Sequence, residues 1–283
     1  MSQISAAAVK ALRDKTNAPM MDCKAALTEA QGDMEKATEI LRKKSKDIQV
    51  KKGEREAAEG RIAVFIDPAQ KVGAILEMRC ESAPVAKNDL FVKLAEDVVR
   101  QVALKGAKSI EELLAQPFVD DPKKTVQDRI GDVIGLVREN MKPARFKRLS
   151  GLLGSYIHHD GSTGVLLQVE GTTADAQLLK DVCMHITARN PSAARREDVP
   201  EALISKEKEI AKEQLAADPK NKNKPPNIVE MILEGKIKTW LADNVLVEQP
   251  FVKDDSKKVG DVLKASGLTV AQFIRYRVGE IGN

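Results

Sequence analysis

The sequence predicts an α+β fold in which helices flank small antiparallel sheets, and three observations carry that prediction. A strand–turn–strand–helix pattern occurs twice, a helix-only stretch precedes both copies, and a polar-tipped helical stretch interrupts the second copy. Phe65-Ile66-Asp67, a polar break and Val72-Gly73-Ala74-Ile75-Leu76-Glu77-Met78 reappear as Tyr156-Ile157-His158, a break and Thr163-Gly164-Val165-Leu166-Leu167-Gln168-Val169. An amphipathic run follows each, Leu94 to Ala103 and Leu178 to Thr187. From Phe65 to Asp97 is 32 positions against 25 from Tyr156 to Asp181, and the expectation is that the surplus of seven lies between last strand and helix, within Cys80 to Asp89. Duplication builds scaffold, whereas an insertion at the rim of one copy is where function tends to be grafted.

At 283 residues with 42% hydrophobic side chains, the chain has material for two cores and an appendage. Its 46 basic residues nearly balance 42 acidic ones, and the resulting +4 is too small to imply a nucleic-acid partner by charge. Aromatics at 3% also leave few base-stacking platforms. Cys23, Cys80 and Cys183 are an odd number with no C-x-x-C spacing, which fits a reducing cytoplasm. With no signal-like N-terminus and no apolar stretch of about 20 residues, the expectation is a soluble, unprocessed, cytoplasmic protein without a membrane partner.

Taken in order, Ile4, Ala8, Val9 and Leu12 share a helical face. Thr16-Asn17-Ala18-Pro19 breaks the chain, and Pro19 suits the start of a second helix over about Met20 to Ala30 because no N–H is needed there. Gly32 stops that helix, and Asp33 caps a third on which Met34, Ala37, Ile40 and Leu41 align. Residues 1–45 thus form a three-helix module. From Lys43 to Gly60 only Ile48 and Val50 are large and apolar, so residues 46–60 read as a mobile or weakly helical tether.

The first core subdomain is placed at 61–144, with Arg61 to Ile66 as a strand and Pro68 to Lys71 as a turn. The second is placed at 145–283, where Asp160-Gly161-Ser162 is a stronger hairpin signal. Arg145 to Leu149 and Phe273 to Val278 alternate apolar with basic residues, which predicts half-exposed strands widening each sheet to about three. Gln116-Pro117-Phe118-Val119 echoes Gln249-Pro250-Phe251-Val252, so the whole unit reads as duplicated. An insertion at about 198–244 reads as a helical hairpin. Leu203, Ile204, Ile210, Ala211 and Leu215 stripe one arm, and Ile228, Val229, Ile232, Ile237 and Trp240 the other. Lys220 to Pro226 cannot continue a helix and form the tip, about 24 Å out for arms of roughly 16 residues. Such an arm is more often a docking element than core.

Enzyme chemistry finds little footing. His158 and His159 sit at a hairpin end, His185 stands two positions after Cys183 on a helix, and no acidic residue lies at zinc-ligand spacing. Cys23 and Cys183 fall on apolar helix faces, and no Gly-rich phosphate loop exists. No catalytic group, metal or cofactor is expected. Met20 and Met21 are consecutive on a helix, so both cannot face the module's core; at least one offers adaptable apolar surface to a partner, although partial burial of both is an equally good reading. Cys80 to Asp89 reads as a connector with Asn88 or Asp89 capping the next helix, and Pro84 stiffens it, which favours a docking wedge because less entropy is lost.

Val9 to Thr16 followed by Pro19-Met20-Met21-Asp22-Cys23-Lys24-Ala25-Ala26-Leu27 and Gly32-Asp33 is a specific signature. Together with Gly154 to His158, Met184 to Ala188, Gln249 to Val252 and Phe273-Ile274-Arg275, it resembles the bacterial elongation factor Ts family across essentially the whole chain. The resemblance implies a ubiquitin-associated-like (UBA-like) N-terminal module, a two-part core with antiparallel sheets, and a coiled-coil hairpin. It also implies a non-enzymatic nucleotide-exchange factor whose partner is the GTPase elongation factor Tu, with no direct nucleic-acid contact; self-association is left open. The family has Thr-Asp-Phe-Val-Ala after its Cys-Glu pair, and the Phe with its Asp neighbour is implied to wedge near the partner's magnesium site. This chain has Ser82-Ala83-Pro84-Val85-Ala86 instead, so by position Ser82, Ala83, Pro84 and Val85 inherit that role without carboxylate or phenyl ring. Met20 and Met21 are implied to grip the GTPase domain and His158 to reach another domain. Two other readings stand beside this one: a module that binds elongation factor Tu without speeding exchange, and a metalloenzyme using the three histidines.

Overall fold

The computed structural model describes residues 4–218 and 224–280, so most of the expected hairpin tip lies outside the described residues. The N-terminal module contains α1 (Ala6–Thr16), α2 (Met20–Glu29) and α3 (Met34–Gly53). Ser5 Oγ accepts the Ala8 N–H, and Asp33 accepts the N–H groups of Glu35 and Lys36 at 2.9 and 3.0 Å, the cap the sequence predicts. Val9, Leu12, Cys23, Ala26, Leu27, Ala37 and Leu41 close the core of the three helices.

Of the expected mobile or weakly helical tether, residues 46–53 are helix. α3 continues to Gly53 because it has a surface to lie on, helix α7 (Val126–Val137). A Cβ on Gly131 would stand 2.7 Å from Gln49 Oε1, and one on Gly135 2.5 Å from Ser45 Oγ, so two bare glycines admit α3 at close range. Ile48 packs on the first core, and Asp128 receives Arg42 at 3.4 Å and Lys46 at 3.1 Å. Weak local propensity is overridden by tertiary packing, which supplies most helix stability in proteins.

The first unit runs β1 (Glu59–Asp67), β2 (Val72–Cys80), α4 (Ala83–Ala86), α5 (Asp89–Lys105), α6 (Ile110–Ala115), β3 (Pro117–Phe118), β4 (Asp121–Thr125), α7 and β5 (Met141–Ser150). The second runs β6 (Leu152–Ile157), β7 (Thr163–Glu170), α8 (Ala176–Arg189), the hairpin α9 (Glu201–Ala217) and α10 (Pro226–Asn244), β8 (Pro250–Phe251), β9 (Asp254–Lys258), α11 (Val259–Ala265) and β10 (Thr269–Arg277). Each unit has an antiparallel sheet of three, ordered β1-β2-β5 and β6-β7-β10. The strand at 145–149, assigned from sequence to the second subdomain, closes the first sheet instead: Leu76 pairs with Phe146 and Gly73 with Leu149. The expected surplus is shared. The first copy spends residues 81–88 between strand and helix against 171–175 in the second, and the rest lengthens the start of α5 and, by one residue, strand β2.

Duplication extends to a buried polar staple. In the first unit Gln101 donates to Gln116 Oε1 at 3.0 Å and accepts the Val119 N–H at 2.9 Å. In the second, His185 Nε2 meets Gln249 Oε1 at 2.8 Å and Nδ1 accepts the Val252 N–H at 3.3 Å. Each staple ties the helix behind the sheet to the Gln-Pro-Phe-Val hairpin, which leaves His185 occupied in holding the fold.

The sheets pack face to face with helices outside. Along β1, Ala63 and Phe65 face the helices while Ile62, Val64 and Ile66 face the other sheet, the period-two alternation of a strand. Ile62, Ile75, Leu149, Leu166 and Tyr276 are the buried residues of this seam. Central strands must therefore be apolar on both faces, which explains the uninterrupted runs after Gly73 and Gly164. A Cβ on Gly73 would meet Leu153 at 2.8 Å, and one on Gly164 would meet Ile62 at 2.6 Å. At the seam's end the buried Glu77 carboxylate accepts from Arg79 at 2.5 Å, Arg145 at 2.6 Å and the Gly279 N–H at 3.1 Å, and Arg145 lies over the Tyr276 ring.

In the inserted hairpin, Ala211, Ile237 and Leu241 are buried between the arms, and Leu215 is buried as well. Ile210 and Ile228, expected on the inner stripes, are exposed; Ile210 stands one residue, about 100° of helix, from the buried Ala211. At the base, Ala193 bridges Val245 and Leu246 N–H donates to Ala193 O at 2.9 Å.

The staple yields a pH prediction. Burial holds the His185 imidazole below its ordinary value, so below about pH 6.5 the unfolded chain takes up a proton that the folded chain resists. Stability should fall as pH drops from 7 to 5. His185→Gln, which copies the first unit, should fold at a cost of at most about 1 kcal/mol at pH 7 and flatten that dependence in denaturant titrations; an unchanged slope would remove His185 as its source.

Candidate partner-binding site

Helix α2 begins on Pro19, and its inward face is set by Cys23, Ala26 and Leu27. Met20 and Met21 precede that face and are 43% and 72% exposed, so both methionines offer surface. The next residue, Asp22, is fixed from two sides, by Lys44 of α3 at 2.7 Å and Arg138 at 2.5 Å.

The inserted segment is a helical turn and not an open loop. Ser82 precedes α4, and Asn88 caps α5 by accepting the Leu90 N–H at 2.9 Å. Ala83 and Pro84 are exposed, Val85 packs on the first core and Ala86 is buried. Two carboxylates tie the turn down. Glu139 accepts the Ser82 N–H at 3.1 Å on one oxygen and its hydroxyl at 2.7 Å on the other. Glu81 accepts the Asn140 N–H at 2.6 Å and faces Arg55 at 3.4 Å; against a desolvation that raises it, these donors hold the Glu81 carboxyl below its ordinary value. Beneath the turn, burial first and the Glu139 charge second push the Cys80 thiol up to about 12.

His158 lies at the tip of the β6–β7 hairpin, half-buried, its N–H donating to Thr163 O at 2.8 Å and its ring 4.3 Å from that of His159. Nδ1 is 3.4 Å from Tyr156 Oη. His185 stands apart in the second core, so the three histidines do not converge, and no group of three or more metal-ligating side chains occurs among the described residues. Those residues also include no helix long and apolar enough to cross a membrane.

The predicted residues occupy three elements joined by intermediaries. Arg138, Glu139 and Asn140, between α7 and β5, link Asp22 beside the methionines to the Ser82 turn. Arg61 links that turn to the His158 hairpin: its guanidinium donates to Ala86 O at 3.3 Å while the adjacent Ile62 N–H donates to Gly161 O at 2.8 Å. Sequence reasoning missed all four connectors. Arg138-Glu139-Asn140 reads as an ordinary polar loop, and its partners are 57 and more positions away, as Ser82 and Glu139 are.

Comparison with known proteins places this arrangement in context. A family model described as Elongation factor TS matches residues 84–280. The chain is 42% identical over 283 residues to Elongation factor Ts of Aquifex aeolicus, covering 96% of both chains. It is 42% identical over 280 residues to that of Methylococcus capsulatus, covering 98% of this chain and 92% of the relative. To that of Clostridium perfringens it is 40% identical over 289 aligned positions, covering 98% and 93%.

The closed turn makes a chemical prediction. All three cysteines are buried, and a Cys80 thiol near 12 is thiolate at pH 8 to only about one part in ten thousand. A disulfide reagent should label the native chain at least about a hundredfold more slowly than the denatured chain. Rapid native labelling mapped to Cys80 would mean that the turn opens.

Proposed function

The chain belongs to the elongation factor Ts family, and from that premise we propose that it is a guanine-nucleotide exchange factor that docks on elongation factor Tu and promotes GDP release. A GTPase holds GDP through its phosphates and a magnesium ion that demands near-octahedral coordination, so a small displacement of the surrounding loops removes much of the affinity. The factor need not touch the nucleotide. In this reading Met20 and Met21 grip the GTPase domain, the Ser82–Val85 turn presses on its magnesium region, and His158 holds a second domain of the partner. No covalent chemistry is involved, and the protein acts through shape alone. Coupling is reciprocal: docking weakens nucleotide by the factor by which nucleotide weakens docking, so incoming GTP expels the factor.

One observation supports this most directly. The exposed Ala83 and Pro84 sit on a turn whose backbone is held by Glu139, one residue from the Arg138 that fixes the methionine-bearing helix. That is the construction expected of a wedge. The same two residues favour a second reading, a module that binds elongation factor Tu without accelerating exchange, because Ala83 carries no charge and Pro84 little volume.

Stopped-flow release of fluorescent GDP from the cognate elongation factor Tu separates the two. Micromolar protein should accelerate release, and Ala83→Asp with Pro84→Phe should add up to about tenfold, equivalent to roughly 1.4 kcal/mol off the barrier. A stable complex with an unchanged release rate would establish the binding-only reading; no complex at all would defeat both.

A further inference from the structure

We propose that Arg138 and Glu139 are positioning residues that hold the Met20–Met21 helix and the Ser82–Val85 turn in one fixed register, so that a partner gripped by the first meets the second at a set offset. The purpose of the register rests on the exchange-factor reading above; its existence rests on backbone geometry.

Helix α7 ends on Arg138 at φ +68°, ψ +23°, the left-handed region that a Cβ disfavours and where glycine is the usual helix terminator. The duplicated unit shows the usual solution: past α11 the left-handed position, also at φ +68°, is Gly267. In the first unit an arginine occupies this position against its backbone preference, and its side chain leaves the helix to reach Asp22 at 2.5 Å. Sparsely populated backbone conformations persist where surrounding contacts over-determine them. Lys44 of α3 holds the other Asp22 oxygen at 2.7 Å, so the carboxylate cannot swing away with the arginine.

The two following residues continue the strut. Glu139 spends both carboxylate oxygens on Ser82, and Asn140 gives its N–H to Glu81 and its side-chain amide to the Arg55 and Gly53 carbonyls at 2.7 and 3.3 Å. Three consecutive residues therefore fasten the start of α2, the wedge turn and the end of α3 to one point. Charge-assisted bonds of this kind are the stronger and more directional class. A partner that closes on the methionines cannot push the turn aside by rotating the module.

Arg138→Gly tests the strut without unfolding the chain, because it installs the residue that the backbone conformation favours. Its thermal midpoint should match or exceed that of the parent, while the saturating GDP-release rate from elongation factor Tu falls at least fivefold and affinity for the nucleotide-free partner changes less than threefold. A purely structural role predicts that stability and rate move together. Glu139→Ala should lower the same rate and raise amide hydrogen exchange at residues 82–86 of the free chain at least tenfold. Glu139→Gln, which keeps an acceptor for Ser82, should recover most of both. Release rates within twofold of a parent that does accelerate GDP release would overturn the register and leave the exchange reading standing. If the parent is inert, the exchange reading fails; amide exchange in the free chain then decides the register, and protection unchanged at 82–86 in Glu139→Ala and at 20–23 in Arg138→Gly overturns it.

Discussion

The face-to-face contact of the two sheets is the constraint on which the rest of the molecule depends. It forms because Gly73 and Gly164 occupy matching places on the two central strands, where any side chain would collide with Leu153 or Ile62. Ile62 lies in this seam, and its N–H binds the tip of the second sheet's hairpin, while its neighbour Arg61 reaches the Ala86 carbonyl at the end of the Ser82–Val85 turn. The seam thus fixes where the His158 hairpin stands relative to Ser82–Val85. Each fully buried Ile or Leu of the seam contributes about 2 kcal/mol by area. The Glu77 cluster beside it is better regarded as setting alignment than as adding stability, since burying a carboxylate offsets much of what its arginines return.

Rigidity spreads outward from the seam by two routes. One is the Arg61 bridge. The other is α7, whose inner residues Val126, Ile130, Val133 and Ile134 belong to the first core while Gly131 and Gly135 receive α3. The N-terminal module is therefore fastened along a helix pair and by the charges on Asp22 and Asp128, and does not swing on a tether. The hairpin α9–α10 is different in kind. It is anchored at Ala193 and Val245 and buries few side chains between its arms, with Met231 67% exposed. Among the described residues its position is set at its base.

How much of this was legible in the sequence follows from what each feature depends on. The three helices, the two hairpins, the Asp33 and Asn88 caps and the duplicated Gln-Pro-Phe-Val unit were readable because each is encoded within a few residues, by periodicity or by a side chain bonding its own backbone. The helix beyond Lys43 was not, because Ser45 and Gln49 become helical by lying against glycines nearly ninety positions away. The pairing of the 141–150 strand failed for the same reason: an amphipathic strand announces its faces but not its neighbour. Adjacency on a helix predicted that at least one of the two methionines is exposed and left the other open, whereas Glu139 and Arg138 have meaning only once Ser82 and Asp22 are beside them. The resemblance of the N-terminal signature pointed to the candidate residues; the structure shows what holds them.

A wedge without a phenyl ring poses a mechanical question under the exchange-factor reading. Bulk displaces a neighbouring loop by volume, whereas a small turn displaces it only if the turn yields less than the loop does. Each tenfold acceleration corresponds to roughly 1.4 kcal/mol delivered to the partner, and the turn must withstand the reaction to that load. Its anchors are two hydrogen bonds to the Glu139 carboxylate, each of a class worth about 1.5–3 kcal/mol, the Arg61 contact at Ala86, and the burial of Val85 against the core. Those anchors together exceed the roughly 1.4 kcal/mol of a single tenfold step. Pro84 works in the same direction, since its ring removes a backbone freedom that would otherwise absorb the strain. In this reading stiffness in the mounting stands in for volume at the tip, while the second copy, whose connector at 171–175 has no such turn, contributes its β6–β7 hairpin instead.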